Sequence, residues 1–110
     1  MNKLKNKNIV VTGGNGLLGN DFISFLNKEG ATVINLEKNI ISDKHNINCD
    51  ITEESSVKDV IKFITKDFGN IDGWVNNAYP RTEDWGNKFE DIKYDSWKKN
   101  VDLQLGSVFL

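Results

Sequence analysis

A glycine-rich stretch near the start of the chain, Thr12–Gly19, constrains the fold more than any other part of the sequence. It follows a short run of β-branched apolar residues, and beyond it apolar residues recur at helical spacing, at Leu18, Phe22, Phe25 and Leu26. This order predicts a buried strand over Ile9–Thr12, a tight turn and a helix over Gly16–Lys28. Backbone N–H groups and the positive end of a helix meet at such a turn, so it is suited to hold a phosphate.

The spacing of the glycines narrows the kind of phosphate ligand. Gly13, Gly16 and Gly19 form G-x-x-G-x-x-G, a near relative of the G-x-G-x-x-G fingerprint of dinucleotide-binding turns. The turn is not followed by Lys-Ser or Lys-Thr, so a nucleoside-triphosphate loop is not indicated. We therefore predict that the turn, with its intervening residues Asn15, Leu17 and Leu18, binds a phosphate of a dinucleotide.

Strand and helix patterns alternate along the rest of the chain. Further strands are predicted over Thr32–Leu36, Ile47–Cys49 and Ile71–Val75. Two further helices are predicted, one capped by Thr52 and one capped by Asp95, with apolar faces at Val57, Val60, Ile61 and Ile64 and at Trp97, Val101, Leu105 and Val108. The alternation is typical of an α/β protein with a Rossmann-type, doubly wound parallel sheet, here with about four strands in one domain over residues 1–110.

Composition excludes several classes of function. A net charge of −2 gives no broad attraction to nucleic acid or to an anionic membrane. We expect the single cysteine, Cys49, to be a small buried residue. The lone His45 has no neighbouring ligand cluster, so no metal site is expected. No segment is long enough to span a membrane or to form a signal-peptide core, so a cytoplasmic protein is expected.

Glu37, at the end of the second predicted strand, suggests which dinucleotide is bound. A carboxylate at this position can accept hydrogen bonds from the ribose hydroxyls, and it would repel a ribose phosphate. It therefore favours NAD over NADP. Two alternatives stay open: Lys38 could serve a phosphate, and Glu37 could be an ordinary exposed carboxylate.

Three motifs in order resemble the short-chain dehydrogenase/reductase family. They are the glycine turn, Asp50-Ile51-Thr52 and Asn76-Asn77-Ala78, and the final helix also resembles a helix of that family. The resemblance implies that Asp50 accepts a hydrogen bond from the adenine amino group, with the Ile51 backbone beside it. It also implies that Asn76, Asn77 and Ala78 lie under the adenosine ribose and steady the central strand.

The sequence departs from the family pattern at three places. The glycine spacing resembles the family's extended branch of sugar-nucleotide epimerases and dehydratases, whereas the two later motifs resemble its smaller reductases. Tyr79-Pro80 replaces a glycine beside the nicotinamide side of the site. The family's asparagine in the last helix, which positions water and the catalytic lysine, aligns with Gln104, and Asn100 is the alternative.

The family's catalytic serine and its Tyr-x-x-x-Lys motif are not expected within these residues. Tyr94 and Lys98 spell that motif, but they follow Asn-Asn-Ala far too closely, so we interpret the match as accidental. The chain is therefore expected to be the cofactor-binding part of the family's domain, incomplete at its C-terminus and inactive alone.

Two functional hypotheses follow. The first is an NAD(P)-dependent oxidoreductase that acts on a small carbonyl or alcohol, with a sugar or sugar nucleotide as one substrate class. The alternative is a catalytically inactive nucleotide-binding or self-associating module, because the apolar face of the last helix needs a partner. On either hypothesis a homo-oligomer is expected. Trp85 and Phe89 either line a substrate mouth or pin the loop that carries them.

Overall fold

A computed structural model describes residues 2–110, which form one parallel sheet with helices on both of its faces. Within these residues the strands are β1 (Asn8–Thr12), β2 (Thr32–Glu37), β3 (Asn46–Asn48) and β4 (Gly73–Val75). The helices are α1 (Leu17–Lys28), α2 (Glu54–Asp67) and α3 (Tyr94–Phe109). The strands lie in the order β3-β2-β1-β4, so β1 is central and the predicted Rossmann-type fold is confirmed.

Alternate residues of the strands supply two cores, one on each face of the sheet. Val10, Ile34 and Ile47 face α2, where they pack with Val60 and Ile64. On the other face, Ile9, Val11 and Val33 pack against Ile23 and Leu26 of α1. The central strands are buried on both faces, which explains their continuous apolar sequence. Cys49 is 3% exposed, as predicted for a small buried residue.

The edges of two strands differ from the sequence prediction. β3 is Asn46–Asn48 rather than Ile47–Cys49, and β4 begins at Gly73 rather than at Ile71. The Asn8 side chain explains the second difference, because its amide donates hydrogen bonds to the carbonyls of Phe68 and Asn70 at 2.9 Å. The chain before Gly73 is therefore held to β1 by the Asn8 side chain, together with the Asp72 N–H, which donates to Asn8 O at 2.9 Å.

Neither predicted helix cap is present. α2 begins after Glu53, because the Thr52 hydroxyl donates to Asp50 Oδ1 at 2.6 Å instead of accepting from the helix. α3 begins at Tyr94 after Lys93, one residue before the predicted cap. The Asp95 carboxylate lies inside the first turn and pairs with Lys98 at 3.3 Å. Among the described residues, no helix is long and apolar enough to cross a bilayer.

The apolar face predicted for α1 is largely wrong. Leu18 and Phe25 are both 61% exposed and Phe22 is 40% exposed. Of the predicted face Leu26 packs against the core, together with Ile23, which was not predicted. The cause is Gly19, which is buried against the backbone of Gly13 and Gly14 and so brings that side of the helix onto the sheet. The spacing of apolar residues could not show which side of α1 lies against the sheet, because the close approach depends on a glycine.

Candidate functional site

A cleft of about 780 Å³ lies at the carboxyl ends of the strands, where open α/β sheets bind their ligands. It has two sides, which we name by the strands that carry them. The β2–β3 rim comprises residues 36–38 and 49–52, and the β4 rim comprises residues 77–83. Nine residues predicted for the cofactor site line this cleft: Gly13, Gly16, Leu17, Leu18, Glu37, Asp50, Ile51, Asn77 and Ala78.

The glycine turn between β1 and α1 forms the floor of the cleft. Gly13 has a φ of +66°, a conformation that side chains disfavour, and an added Cβ would lie 2.8 Å from Ala78 Cα. At Gly19 an added Cβ would collide with Gly13 O and would lie 2.6 Å from Gly14 Cα. These two glycines therefore serve close packing of the turn on its own helix and on the chain after β4.

Gly16 differs from its neighbours because it faces open space. An added Cβ there would meet only Gly13 O, at 3.5 Å. Gly16 is also the N-cap of α1, and within the described chain no side chain caps that helix. The first N–H groups of α1 are thus left for a ligand at the cleft, which is the arrangement that suits a phosphate.

Asn35, in the middle of β2, holds the turn in place, and the sequence analysis missed it. Its side chain is 2% exposed. Its Oδ1 accepts a hydrogen bond from Gly14 N at 2.8 Å, and its Nδ2 donates to Asn15 Oδ1 and to Asn46 Oδ1, both at 3.0 Å. The available signal was a lone amide within an otherwise apolar strand, because such a residue must find partners when buried.

Thr12 joins the turn to the chain that follows β4. Its hydroxyl accepts hydrogen bonds from the N–H groups of Asn77 and Ala78, both at 3.0 Å. The Asn77 amide returns a hydrogen bond to Gly13 O at 3.0 Å. The Asn-Asn-Ala segment is therefore fixed directly against the glycine turn.

Glu37 lies at the β2–β3 rim beside the turn. Its Oε2 accepts a hydrogen bond from Asn15 N at 3.1 Å, which orients the carboxylate without burying it. A carboxylate that uses one oxygen in this way still has acceptor capacity for hydroxyl groups. This geometry fits the recognition of a ribose diol.

Asp50 is held by partners on both of its oxygens. Oδ1 accepts from the Thr52 N–H at 3.0 Å and from the Thr52 hydroxyl, and Oδ2 pairs with Lys38 Nζ at 3.4 Å. Burial alone would raise the pKa of Asp50, but the hydrogen bonds from Thr52 and the charge of Lys38 together lower it. Asp50 is therefore ionised at neutral pH and the charge of Lys38 is already engaged.

The β4 rim is anchored at its far end by α3. Asn100 is 1% exposed, and its Oδ1 accepts from Thr82 N at 2.9 Å. Its Nδ2 donates to Thr82 Oγ1 at 2.8 Å and to Ser96 O at 2.9 Å. Between the anchors, the Tyr79 ring meets Trp85 edge to face at a centroid distance of 5.8 Å. Trp85 thus pins the loop, which was one of its two predicted roles.

Four of the predicted site residues do not line the cleft. Asn15 and Gly19 act through the turn itself. Asn76 accepts a hydrogen bond from Trp74 Nε1 at 2.9 Å and lines a separate apolar pocket between α2 and the end of α3. Gln104 lies on α3, and its buried Nε2 has no hydrogen-bond partner in the part of the chain that the structure describes.

Tyr94 and Lys98 are also outside the cleft. Both side chains are exposed, and Lys98 Nζ lies 4.8 Å from the centroid of the Tyr94 ring while pairing with Asp95. Within residues 2–110 no group of three metal-ligating side chains comes together.

Known proteins resemble the chain in both sequence and structure. A family model described as enoyl-(acyl carrier protein) reductase matches residues 22–110. A sorbose reductase from Candida albicans is 32% identical, over 96% of this chain and 42% of the relative. The post-translational flagellin modification protein A of Campylobacter coli is 26% identical, over 97% of this chain and 48% of the relative. The chain thus spans just under half the length of these curated relatives.

Solved structures share the fold. An aldohexose dehydrogenase from Thermoplasma acidophilum superposes with a TM-score of 0.80 at 28% identity, over 98% of this chain and 42% of the neighbour. A short-chain dehydrogenase from Leptospira borgpetersenii, solved with bound NAD+, also has a TM-score of 0.80, at 22% identity, over 97% of this chain and 43% of the neighbour.

Proposed function

The chain belongs to the short-chain dehydrogenase/reductase family, and we propose that it forms the NAD-binding part of an oxidoreductase. The reaction is hydride transfer between nicotinamide and a carbonyl or alcohol group of a small molecule. One observation carries the proposal: the open N-terminus of α1, the Glu37 carboxylate and the Asp50 carboxylate face one cleft. Together they match the phosphate, ribose and adenine of a dinucleotide.

Glu37 and Lys38 support NAD rather than NADP. The Glu37 carboxylate stands beside the turn, where it would repel a 2′-phosphate on the ribose. Lys38 pairs with Asp50 at 3.4 Å, so its charge is directed away from such a phosphate. The adenine amino group is assigned to Asp50, and Asn77 and Ala78 are assigned to the ribose side of the site, whereas Asn76 lines the separate pocket beside Trp74.

Binding of NADH and NADPH tests the proposal. We expect NADH to bind at least about tenfold more tightly, measured by titration of nucleotide fluorescence. Glu37→Gln should narrow that ratio, because it removes the repulsion of the phosphate. Glu53→Gln, which removes the same charge at the exposed N-cap of α2, is the matched control and should leave the ratio unchanged. Tighter binding of NADPH to the unaltered chain would contradict the choice of NAD.

The catalytic residues are proposed to lie largely outside these 110 residues. We assign to Gln104 the role of the family's asparagine, because its Nε2 has no partner among residues 2–110 and keeps hydrogen-bonding capacity that Asn100 has already spent on Thr82 and Ser96. The serine, tyrosine and lysine would come from elsewhere, so the chain alone should bind NADH without oxidising it. A reductase rate that Tyr94→Phe abolishes would contradict this assignment.

A sugar or sugar nucleotide is the proposed substrate class, within a cytoplasmic enzyme. The extended-branch glycine spacing supports it. The names of two relatives, a sorbose reductase and an aldohexose dehydrogenase, point the same way. A panel of aldoses, ketoses and sugar nucleotides, with apolar ketones for comparison, would check it through the shift that each compound causes in the melting temperature of the NADH complex. A shift with the apolar ketones alone would overturn it.

The alternative is a non-catalytic module that associates with a second copy. The exposed face of α3 favours this function, since Trp97, Val101, Leu105 and Val108 are 44–68% exposed. Such a stripe is larger than scattered surface residues and suits an interface. Sedimentation of the native chain and of Leu105→Glu tests it: we expect a dimer that the charge disrupts, and a native monomer would exclude it.

A further inference from the structure

Arg81 is the only arginine in the sequence, and it lies in a short segment of the β4 rim that is pinned at both ends. On one side, the Thr12 hydroxyl holds the Ala78 N–H at 3.0 Å. On the other, Asn100 holds Thr82 through two hydrogen bonds. Thr12 and Asn100 are each 1% exposed. The backbone that carries Arg81 is therefore positioned by buried polar groups.

The side chain of Arg81 is itself preoriented. Its guanidinium carbon lies 5.6 Å from the centroid of the Tyr79 ring, and Nη1 donates to Tyr79 O at 3.1 Å. Trp85 in turn supports the Tyr79 ring. An arginine has five N–H donors, so most of its donors remain for a ligand.

Charge distinguishes Arg81 from the other cation of the cleft. Lys38 is paired with Asp50, whereas Arg81 forms no ion pair within residues 2–110. Glu83 also lines the cleft but is not paired with Arg81. A preoriented guanidinium without a carboxylate is a binding group for an anion, and its planar fork matches carboxylate or phosphate.

The position of Arg81 indicates where that anion belongs. The strand order places β4 and β2 on opposite sides of β1, so their ends lie about 10 Å apart. Glu37 and the proposed ribose site are at the β2 end, and the glycine turn is between the two. Arg81 therefore lies beyond the proposed pyrophosphate site, on the side left for nicotinamide and substrate.

We propose that Arg81 binds a carboxylate or phosphate group of the substrate, and so selects for an anionic substrate. This inference rests on the proposed function for its assignment to the substrate rather than to the cofactor. The arginine itself can be tested with or without NADH.

Nuclear magnetic resonance can follow the single arginine Nε–H signal directly. We expect inorganic phosphate, and separately acetate, to shift that signal saturably at constant ionic strength, both in the free chain and with saturating NADH. A shift that NADH abolishes would assign Arg81 to the pyrophosphate of the cofactor and would overturn the proposal. A signal that moves with neither anion would overturn it as well. If NADH does not bind at all, the proposed function fails, and the free-chain titration still decides whether Arg81 binds anions.

Variants separate charge from geometry. Arg81→Gln should weaken phosphate binding at least about tenfold, followed by the backbone amide shifts of Tyr79 and Thr82. The phosphate affinity of Arg81→Lys should lie between those of the native chain and Arg81→Gln, because lysine keeps the charge and loses the planar fork of N–H donors. Lys62→Gln removes the same charge from an exposed position on α2 and is the matched control. Equal weakening in Arg81→Gln and Lys62→Gln would show nonspecific attraction and overturn the proposal.

Discussion

The two rims of the cleft are held together in different ways. At the β2–β3 rim the polar groups bind close neighbours in sequence or in the adjacent strand, as Asp50 does with Thr52 and Lys38. At the β4 rim two backbone N–H groups donate to side chains elsewhere in the fold. Ala78 N–H donates to Thr12, 66 residues away, and Thr82 N–H donates to Asn100, 18 residues away. The β2–β3 rim is therefore held by side chains that water can reach, such as the Lys38–Asp50 pair, whereas the β4 rim is held by two side chains that are each 1% exposed.

This difference predicts unequal responses to mutation. Local hydrogen bonds at the exposed β2–β3 rim contribute modestly, because water competes for the same groups. Buried hydrogen bonds at the turn and the β4 rim leave unsatisfied groups when one partner is removed, which costs more. The largest effects should come from the glycine turn that both rims share.

Gly19→Ala should be the most damaging change, at about 3 kcal/mol of unfolding free energy, because the new methyl group meets backbone that cannot move away. Gly16→Ala is the matched control and should change stability by less than about 0.5 kcal/mol, since its nearest neighbour is 3.5 Å away. Urea denaturation measures both. Equal destabilisation by the two alanines would contradict the close packing of Gly19.

Asn35→Asp should cost about 2 kcal/mol of unfolding free energy, because the new carboxylate cannot donate to Asn15 and Asn46 and is buried. It should also weaken NADH binding, since the turn loses its support. Asn48→Asp, on the exposed neighbouring strand, is the matched control and should cost less than about 0.5 kcal/mol. Thermal unfolding with and without NADH checks both effects, and an Asn35→Asp variant as stable as the native chain would refute the role of Asn35.

The two amides of α3 should respond in opposite directions. Asn100→Ala should cost about 2 kcal/mol of unfolding free energy, because it releases Thr82 and frees the β4 rim. Gln104→Leu should be neutral or stabilising by about 1 kcal/mol, because it removes a buried nitrogen that has no partner in the described chain. Urea denaturation measures the unfolding free energy of both variants. A larger loss of stability in Gln104→Leu than in Asn100→Ala would reverse the assignment of their roles.

Much of the fold followed from the sequence because strand and helix patterns are local. Three of the four residues predicted for the apolar face of α2 are buried, Val57, Val60 and Ile64, whereas Ile61 is 36% exposed. The side of α1 that meets the sheet was not predicted, because Gly19, which determines that side, has no apolar side chain. The two predicted helix caps are also wrong, because the Thr52 side chain binds Asp50 and the Asp95 side chain pairs with Lys98.

The positions of some site residues could be predicted from the sequence, and those of others could not. Glu37 and Asp50 stand at strand ends, where topology alone brings side chains to one edge. The roles of Asn35 and Asn100 could not be read, because each binds backbone or side chains that are far apart in the chain. Buried amides in apolar segments mark such positions, but their partners become visible only in the folded structure.

The smallest expected effect concerns the ion pair at the β2–β3 rim. The pKa of Asp50 in the folded chain lies below its ordinary value of 3.8. The unfolded chain therefore binds the proton more readily, so this group adds stability above its unfolded pKa. That stability is lost as the pH falls through the folded pKa.

Lys38→Gln should raise the pKa of Asp50 toward its ordinary value, because the opposite charge at 3.4 Å is removed while the hydrogen bonds from Thr52 remain. Carboxyl carbon chemical shifts, followed from neutral to acid pH, measure it. Lys58→Gln breaks an exposed pair with Glu54 instead and should leave the pKa of Asp50 unchanged. If Lys38→Gln also leaves it unchanged, Lys38 is free to meet a ribose phosphate, and the preference for NAD must rest on Glu37 alone.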